Sequence, residues 1–290
     1  EKEIKMKRFL AIVLVVACTV CSVFLFSACN KINAGKDLEN VKKAGVLKVG
    51  MECNYAPFNW TQTQPSDTAV ELSAGGYADG YDVQIALKLA EALGVKLEIV
   101  KLEWTGLIPA LESGKIDCII AGMSPTAERK MSIDFTDHYY TSELVMVIRA
   151  DGEYVNAKSI SDFSGAKITG QSETFHYTVI DQIPGVIKET AMSDFTTMLI
   201  ALQGKKIDGY VSELPGAKSA VTANPDLTYI VFEEGKGFEA SEDDVAVAVG
   251  IRKGSNLVND LNAALSAITP EMREDLMLWA VENQPLTAEE

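Results

Sequence analysis

Ala110-Leu111-Glu112-Ser113-Gly114-Lys115-Ile116-Asp117 returns without a gap as Ala201-Leu202-Gln203-Gly204-Lys205-Lys206-Ile207-Asp208. Each copy reads as the end of a helix, a glycine cap and the start of a strand. A solenoid would show a shorter period and more copies, so the echo points to two related halves built on one plan. Outward from the first copy, the chain alternates short apolar strands with amphipathic helices, which predicts α/β layers. Strands are expected at Val46–Val49, Leu97–Val100 and 116–121. Tyr81 to Leu93 places Val83, Ala86, Leu87 and Ala90 on one helical face and ends at Gly94. Around the second copy, a strand at 166–170, a helix at 194–203 and a strand at 207–211 repeat the programme. Leu144–Ile148 leads into it, Val245–Val249 reads as a return strand, and helices are expected at 256–268 and 271–282.

At 290 residues, with 47% hydrophobic and 23% charged residues, the chain has the composition of an ordinary globular protein and the length for two cores. Met6-Lys7-Arg8 followed by an uncharged run from Phe9 to Ala28 is the layout of an export signal. Glu1 to Lys5 then lie upstream of the true start. Phe26-Ser27-Ala28-Cys29 resembles a lipobox, which implies lipidation at Cys29; an uncleaved anchor helix is the alternative reading. The predicted organisation is an export signal over 1–28, a polar leash over 29–39, a first lobe over 40–142, a second over 143–245, and a return to the first over 246–290. A net charge of −15 repels phosphate backbones and argues against nucleic acid as a partner. Beyond Cys29 only Cys53 and Cys118 remain, and both read as small buried residues.

Val49 through Phe58, Gly80-Tyr81-Asp82-Val83, Trp104 through Gly114, and Ala121-Gly122-Met123-Ser124-Pro125-Thr126-Ala127-Glu128-Arg129 through Asp134-Phe135-Thr136 carry a resemblance. Together they look like the polar amino-acid-binding proteins of ABC transporters, the bacterial extracellular solute-binding proteins of family 3, over about residues 40–285. Gln84, the long loop from Asn59 to Gly80, and Glu173 depart from that family's pattern. The resemblance implies a two-lobed periplasmic-binding-protein-like fold of type II, each lobe a mixed sheet flanked by helices, joined by a two-strand hinge. It also implies a free amino acid as ligand, a membrane permease as partner, a monomer outside the membrane, and neither cofactor nor metal.

The residues themselves suggest how such a ligand is held. Ser124 followed by Pro125 reads as a helix start whose free N–H groups attract an anion, with Arg129 one turn in. A guanidinium there suits bidentate capture of an α-carboxylate; a surface arginine paired with Glu128 or Asp134 is the plainer reading. In the resembled family, Gly122 (carbonyl), Ser124 (hydroxyl) and the neighbouring Met123 lie at the first lobe's contacts. The echo carries Gly122 onto Glu213, which matches the carboxylate that pairs with the α-ammonium; a solvated glutamate near Pro215 is the alternative. Gln171, Thr174 and the Phe175 amide match the second lobe's grip. Glu52, Tyr55 and Trp104 are expected to set selectivity, the two aromatics sandwiching a side chain whose far end meets the acid. That favours arginine, lysine or histidine, with glutamine next; ordinary core aromatics are the competing reading. No nucleophile turn, zinc motif or phosphate loop occurs, and His138 and His176 read as polar surface residues. A dehydratase such as a cyclohexadienyl or arogenate dehydratase, on the same fold, is the enzymatic alternative.

Overall fold

A computed structural model describes residues 33–285. The export signal, Cys29 and the first part of the leash lie outside the described residues. Among those described, no helix is long and apolar enough to cross a membrane.

Two five-stranded sheets organise the chain. The first runs in the order β5 (Lys96–Lys101), β1 (Val46–Met51), β6 (Cys118–Ile119), β13 (Ala246–Arg252), β7 (Ile133–Thr141). The second runs β10 (Ile187–Lys188), β9 (Lys167–Thr169), β11 (Gly209–Glu213), β8 (Leu144–Arg149), β12 (Leu227–Ile230). Position by position the sheets match: two parallel pairings, then two antiparallel ones, so that only the fourth strand of each, β13 and β8, is reversed. A small third sheet, β2 (Trp60–Gln62), β4 (Tyr77–Asp79) and β3 (Val70–Glu71), forms the long loop.

The echoed octets are one local structure built twice. Lys115 N–H donates to the Ala110 carbonyl and Lys206 N–H to the Ala201 carbonyl, each at 2.9 Å. Asp117 and Asp208 each lock the strand beside them: the Lys48 and Lys167 amides donate to their carboxylates at 2.9 Å. An arginine at the end of the neighbouring antiparallel strand closes each unit. Arg252 Nη1 donates to the Leu111 and Ile116 carbonyls, and Arg149 Nη1 to the matching Leu202 and Ile207 carbonyls. The glycine cap differs from the expected one. The left-handed residue is Gly114 (φ 73°) in the first copy but Lys205 (φ 57°), not Gly204, in the second. The turn geometry fixes the position counted from the helix end, and the glycine stands one residue early.

Strands buried on both faces give each sheet two cores. On the first, Leu47, Val49 and Leu89 pack on one side, and Leu107, Leu111, Ile116 and Met123 on the other. On the second, Met146, Ile148 and Val211 oppose Val145, Val147 and Leu202. Burying each such side chain contributes roughly 1.5–3 kcal/mol. Helix Tyr81–Leu93 ends, as expected, at a left-handed Gly94 (φ 70°). Cys53 and Cys118 are buried and free.

The expected helix start at Ser124–Pro125 does not form. Residues 122–126 are irregular, and the only helix here is Arg129–Ser132. The turn closes further on: the Arg129 amide donates to the Thr126 hydroxyl at 3.3 Å and the Lys130 amide to the Thr126 carbonyl at 3.0 Å, while the Ser124 carbonyl accepts from Arg129 Nη1 at 2.9 Å. The argument from a helix dipole at Ser124 falls with it.

Candidate functional site

The carboxyl ends of β1, β6, β9 and β11 face one another across the gap between the two sheets. The first three are followed by a residue at positive φ, Cys53, Gly122 and Glu173, and β11 runs directly into the helix Leu214–Ala223. After β1, Cys53 takes φ 55°, and the Asn59 side chain secures the loop by accepting from the Cys53 amide (2.7 Å) and donating to Asp82 (2.8 Å). Asp82 also accepts from the Tyr139 hydroxyl at 2.7 Å; burial pushes its pKa up to about 7. That network holds Tyr55 against Gly122. The glycine sits at φ 60°, and a Cβ there would lie 2.8 Å from the Tyr55 ring, so this close approach requires glycine.

One crevice between the halves is lined by Tyr55, Trp104, Gly122, Ser124, Arg129, Gln171, Thr174, Phe175 and Glu213. Ala121, His176, Phe195 and Asp244 line it as well. Arg129 spans the gap: Nη1 donates to the Ser124 carbonyl and Nη2 to the Glu173 carbonyl, each at 2.9 Å, and the guanidinium lies over Trp104, 5.0 Å from the ring centre. Burial pulls its pKa down to about 10 against the pull of Glu128, Glu213 and Glu173. It stays cationic at neutral pH. Asp134 pairs with Lys253 instead, so the surface ion pair with Arg129 is not made.

Glu213 ends β11 and is 3% exposed; its side chain does not cap the helix that follows, Leu214–Ala223. One oxygen, Oε1, lies 3.3 Å from His176 Nε2, and the other has no hydrogen-bond partner. The Tyr55 hydroxyl likewise lacks one, and burial and the nearby Glu213 carboxylate keep it protonated. In the second half, Glu173 holds φ 57°, and the Thr174 hydroxyl donates to the Gln171 carbonyl at 2.7 Å.

Two expected site residues stand back from the crevice. Met123 is buried in the core beside Trp104 and Leu107, and its carbonyl accepts from the Ala248 amide at 3.1 Å. Glu52 lies behind Gln171, whose Nε2 donates to both its oxygens at 3.2 and 3.3 Å. Burial pushes Glu52 up to about 7. Tyr55 and Trp104 do not face each other across a free slot. Phe58 and Phe195 stack on Tyr55 at 5.0 and 4.3 Å, and Arg129 covers Trp104. Sequence reasoning missed His176 and Phe195. His176, read as a surface residue, is 9% exposed and beside Glu213. Its adjacency to Thr174 and Phe175 was the available signal; Phe195 had none. His138 is half-buried and bound to Asp243 at 3.1 Å. Among the described residues, no group of His, Cys, Asp and Glu could hold a metal ion.

Two matched α/β halves with a charged crevice at the strand ends define the two-lobed periplasmic-binding-protein fold of type II. The comparisons agree. Residues 47–275 match the bacterial extracellular solute-binding proteins, family 3. The chain belongs to that family.

A probable histidine-binding protein of Campylobacter jejuni is 30% identical over 240 residues, covering 82% of this chain and 87% of that one. The arginine-binding extracellular protein ArtP of Bacillus subtilis is 28% identical over 90% of this chain and 92% of its own. An amino acid ABC transporter substrate-binding protein from Streptococcus pneumoniae, solved bound to L-arginine, superposes with a TM-score of 0.75 at 25% identity, over 85% of this chain and 98% of that one. An ancestral amino-acid-binding protein described as a precursor of cyclohexadienyl dehydratase gives 0.69 at 27% identity, over 84% and 99%.

Proposed function

We propose that this chain is the substrate-binding subunit of an amino-acid ABC importer. It closes on a polar or basic L-amino acid, arginine, lysine or histidine before glutamine, and presents it to a membrane permease. One observation carries the reading: Arg129 from the first half and Glu213 from the second line the same crevice. A zwitterion offers each the opposite charge. Because the ligand then touches both halves, its binding favours the closed arrangement by differential contact. The similarity to histidine- and arginine-binding proteins supports the ligand class. Trp104 under a guanidinium and the acidic surroundings of Gln171 are compatible with a cationic side chain.

Titration calorimetry against arginine, lysine, histidine, glutamine and cystine tests this, repeated with Arg129→Ala. Removing one partner of a buried charge pair costs about 2–5 kcal/mol, so affinity should drop by at least roughly thirtyfold. If Arg129→Ala binds like the parent, the carboxylate grip is elsewhere. Turnover of prephenate or arogenate would instead establish the dehydratase reading. We place the protein outside the membrane, tethered through a lipid on Cys29; Cys29→Ser should then move it from the membrane to the soluble fraction.

A further inference from the structure

His176 lines the crevice, and the amino-acid reading gives it no role. It sits in the short helix Phe175–Thr178, which follows the Thr174 turn, with its ring edge-on to Phe195 at 6.1 Å between centres. Its Nε2 reaches one oxygen of Glu213, at 3.3 Å. Around that contact, three buried atoms lack a hydrogen-bond partner: Glu213 Oε2, the Tyr55 hydroxyl and His176 Nδ1. A buried carboxylate with an unbonded oxygen is costly unless a donor arrives to meet it. The arrangement therefore divides Glu213 in two, one oxygen beside His176 and the other with no partner in hydrogen-bond geometry, the Tyr55 hydroxyl lying close to the same carboxylate.

Resting on the amino-acid reading, we infer that His176 is a positioning residue of the ammonium grip. It fixes one oxygen of Glu213 so that the other faces the ligand, and its charge decides how much of that carboxylate the ligand meets. A neutral imidazole donates through Nε2–H and leaves Glu213 its full negative charge for the α-ammonium. A protonated imidazole pairs with Glu213 ionically and adds a positive charge beside the incoming ammonium. Binding then weakens in acid.

The other titratable groups at the crevice do not supply this response. Tyr55 is held protonated by burial and by Glu213. Arg129 stays cationic, bonded to the Ser124 and Glu173 carbonyls. Asp244 is tied to Ser241, accepting from its amide and hydroxyl at 3.1 and 2.6 Å. Phe195, packed on the imidazole, carries no charge. Imidazole is the side chain whose charge ordinarily changes between about pH 5 and 8. Glu52 and Asp82, each raised to about 7, lie outside the crevice lining but titrate in the same interval, and only a slope that disappears in a His176 variant separates their contributions from that of the imidazole.

The test is calorimetric affinity for L-arginine, L-lysine and L-glutamine, whose side chains keep their charge between about pH 5 and 8, measured across that interval. For whichever of the three binds most tightly, the parent should lose about tenfold in affinity from the top of the range to the bottom, about 1.4 kcal/mol. His176→Gln keeps an amide donor for Glu213 but cannot gain a charge. It should bind within a few-fold of the parent at the alkaline end and show a flat profile. Glu52→Gln should keep the parent's slope. A flat parent profile, or a His176→Gln profile that falls as the parent's does, overturns the inference while leaving amino-acid binding intact. If the parent binds none of arginine, lysine, histidine, glutamine and cystine at any pH, the amino-acid reading itself fails, and this inference with it.

Discussion

Glu52 is an acid held out of water, with Gln171 as its hydrogen-bond donor and a pKa pushed up to about 7 from the ordinary 4.5. A carboxyl whose folded pKa is raised contributes stability that is fully present below the unfolded value and is lost as pH rises through the folded one. Between about pH 4.5 and 7, therefore, burying Glu52 turns from neutral to costly, by at most on the order of 3 kcal/mol. Glu52→Gln should flatten part of the fall in thermal midpoint over that range; an unchanged slope would mean that Glu52 is already ionised when folded. Asp82, also raised to about 7, leaves a residual slope of the same sign in the variant. Gly122→Ala should cost roughly 1–3 kcal/mol in urea unfolding, because it combines a positive φ with a Cβ against Tyr55. Arg129 stands out in the sequence through its motif and Glu213 through the echoed octet, and the fold brings both to one crevice. His176 and Phe195 do not stand out, because what gives them a place is the meeting of distant segments: His176 with the end of β11, and Phe195 with the Tyr55 ring.

At the scale of elements, the echo was the most informative signal, and it survives as matched hydrogen bonds rather than as matched residues. The lapse at Lys205 shows why: backbone geometry persists where side chains drift. A non-glycine residue in the left-handed region costs about 1 kcal/mol or more, so Lys205→Gly should raise stability by up to roughly 1 kcal/mol, less the entropy glycine adds to the unfolded chain. Chemical denaturation decides it, and destabilisation would show that the lysine side chain matters more than its backbone. The two closing arginines should differ in weight. Arg252 is buried on Asp37 at 2.9 Å, so Arg252→Ala should cost about 3–5 kcal/mol. Arg149 is more exposed, and its carboxylate partner Asp208 is 3.5 Å away, so Arg149→Ala should cost about 1–3 kcal/mol in the same measurement. Capping rules weigh neighbours in sequence and point to Ser124, whereas in the fold the turn closes on Thr126 and the Ser124 carbonyl accepts from the Arg129 guanidinium.

For the molecule as a whole, the halves touch through a small set of contacts. Arg129 reaches Glu173, Gln171 reaches Glu52, Asn54 accepts from Thr196 at 3.1 Å, Ser219 donates to Gln284, and Phe195 stacks on Tyr55. The aromatic pair contributes about 0.5–1.5 kcal/mol beyond its buried area, enough to shift a balanced open–closed equilibrium several-fold. Phe195→Ala should accordingly increase the radius of gyration in small-angle scattering, and adding ligand should reduce it again; superimposable curves would remove Phe195 from the closure contacts. Thr141 and Ala246 are paired neighbours in the first sheet, yet every strand of the second sheet lies between them in sequence. β13 is also what links β7 to β6. A nascent chain emerging from the ribosome can therefore finish the half that begins later while the earlier one still lacks an interior strand, which β13 then supplies.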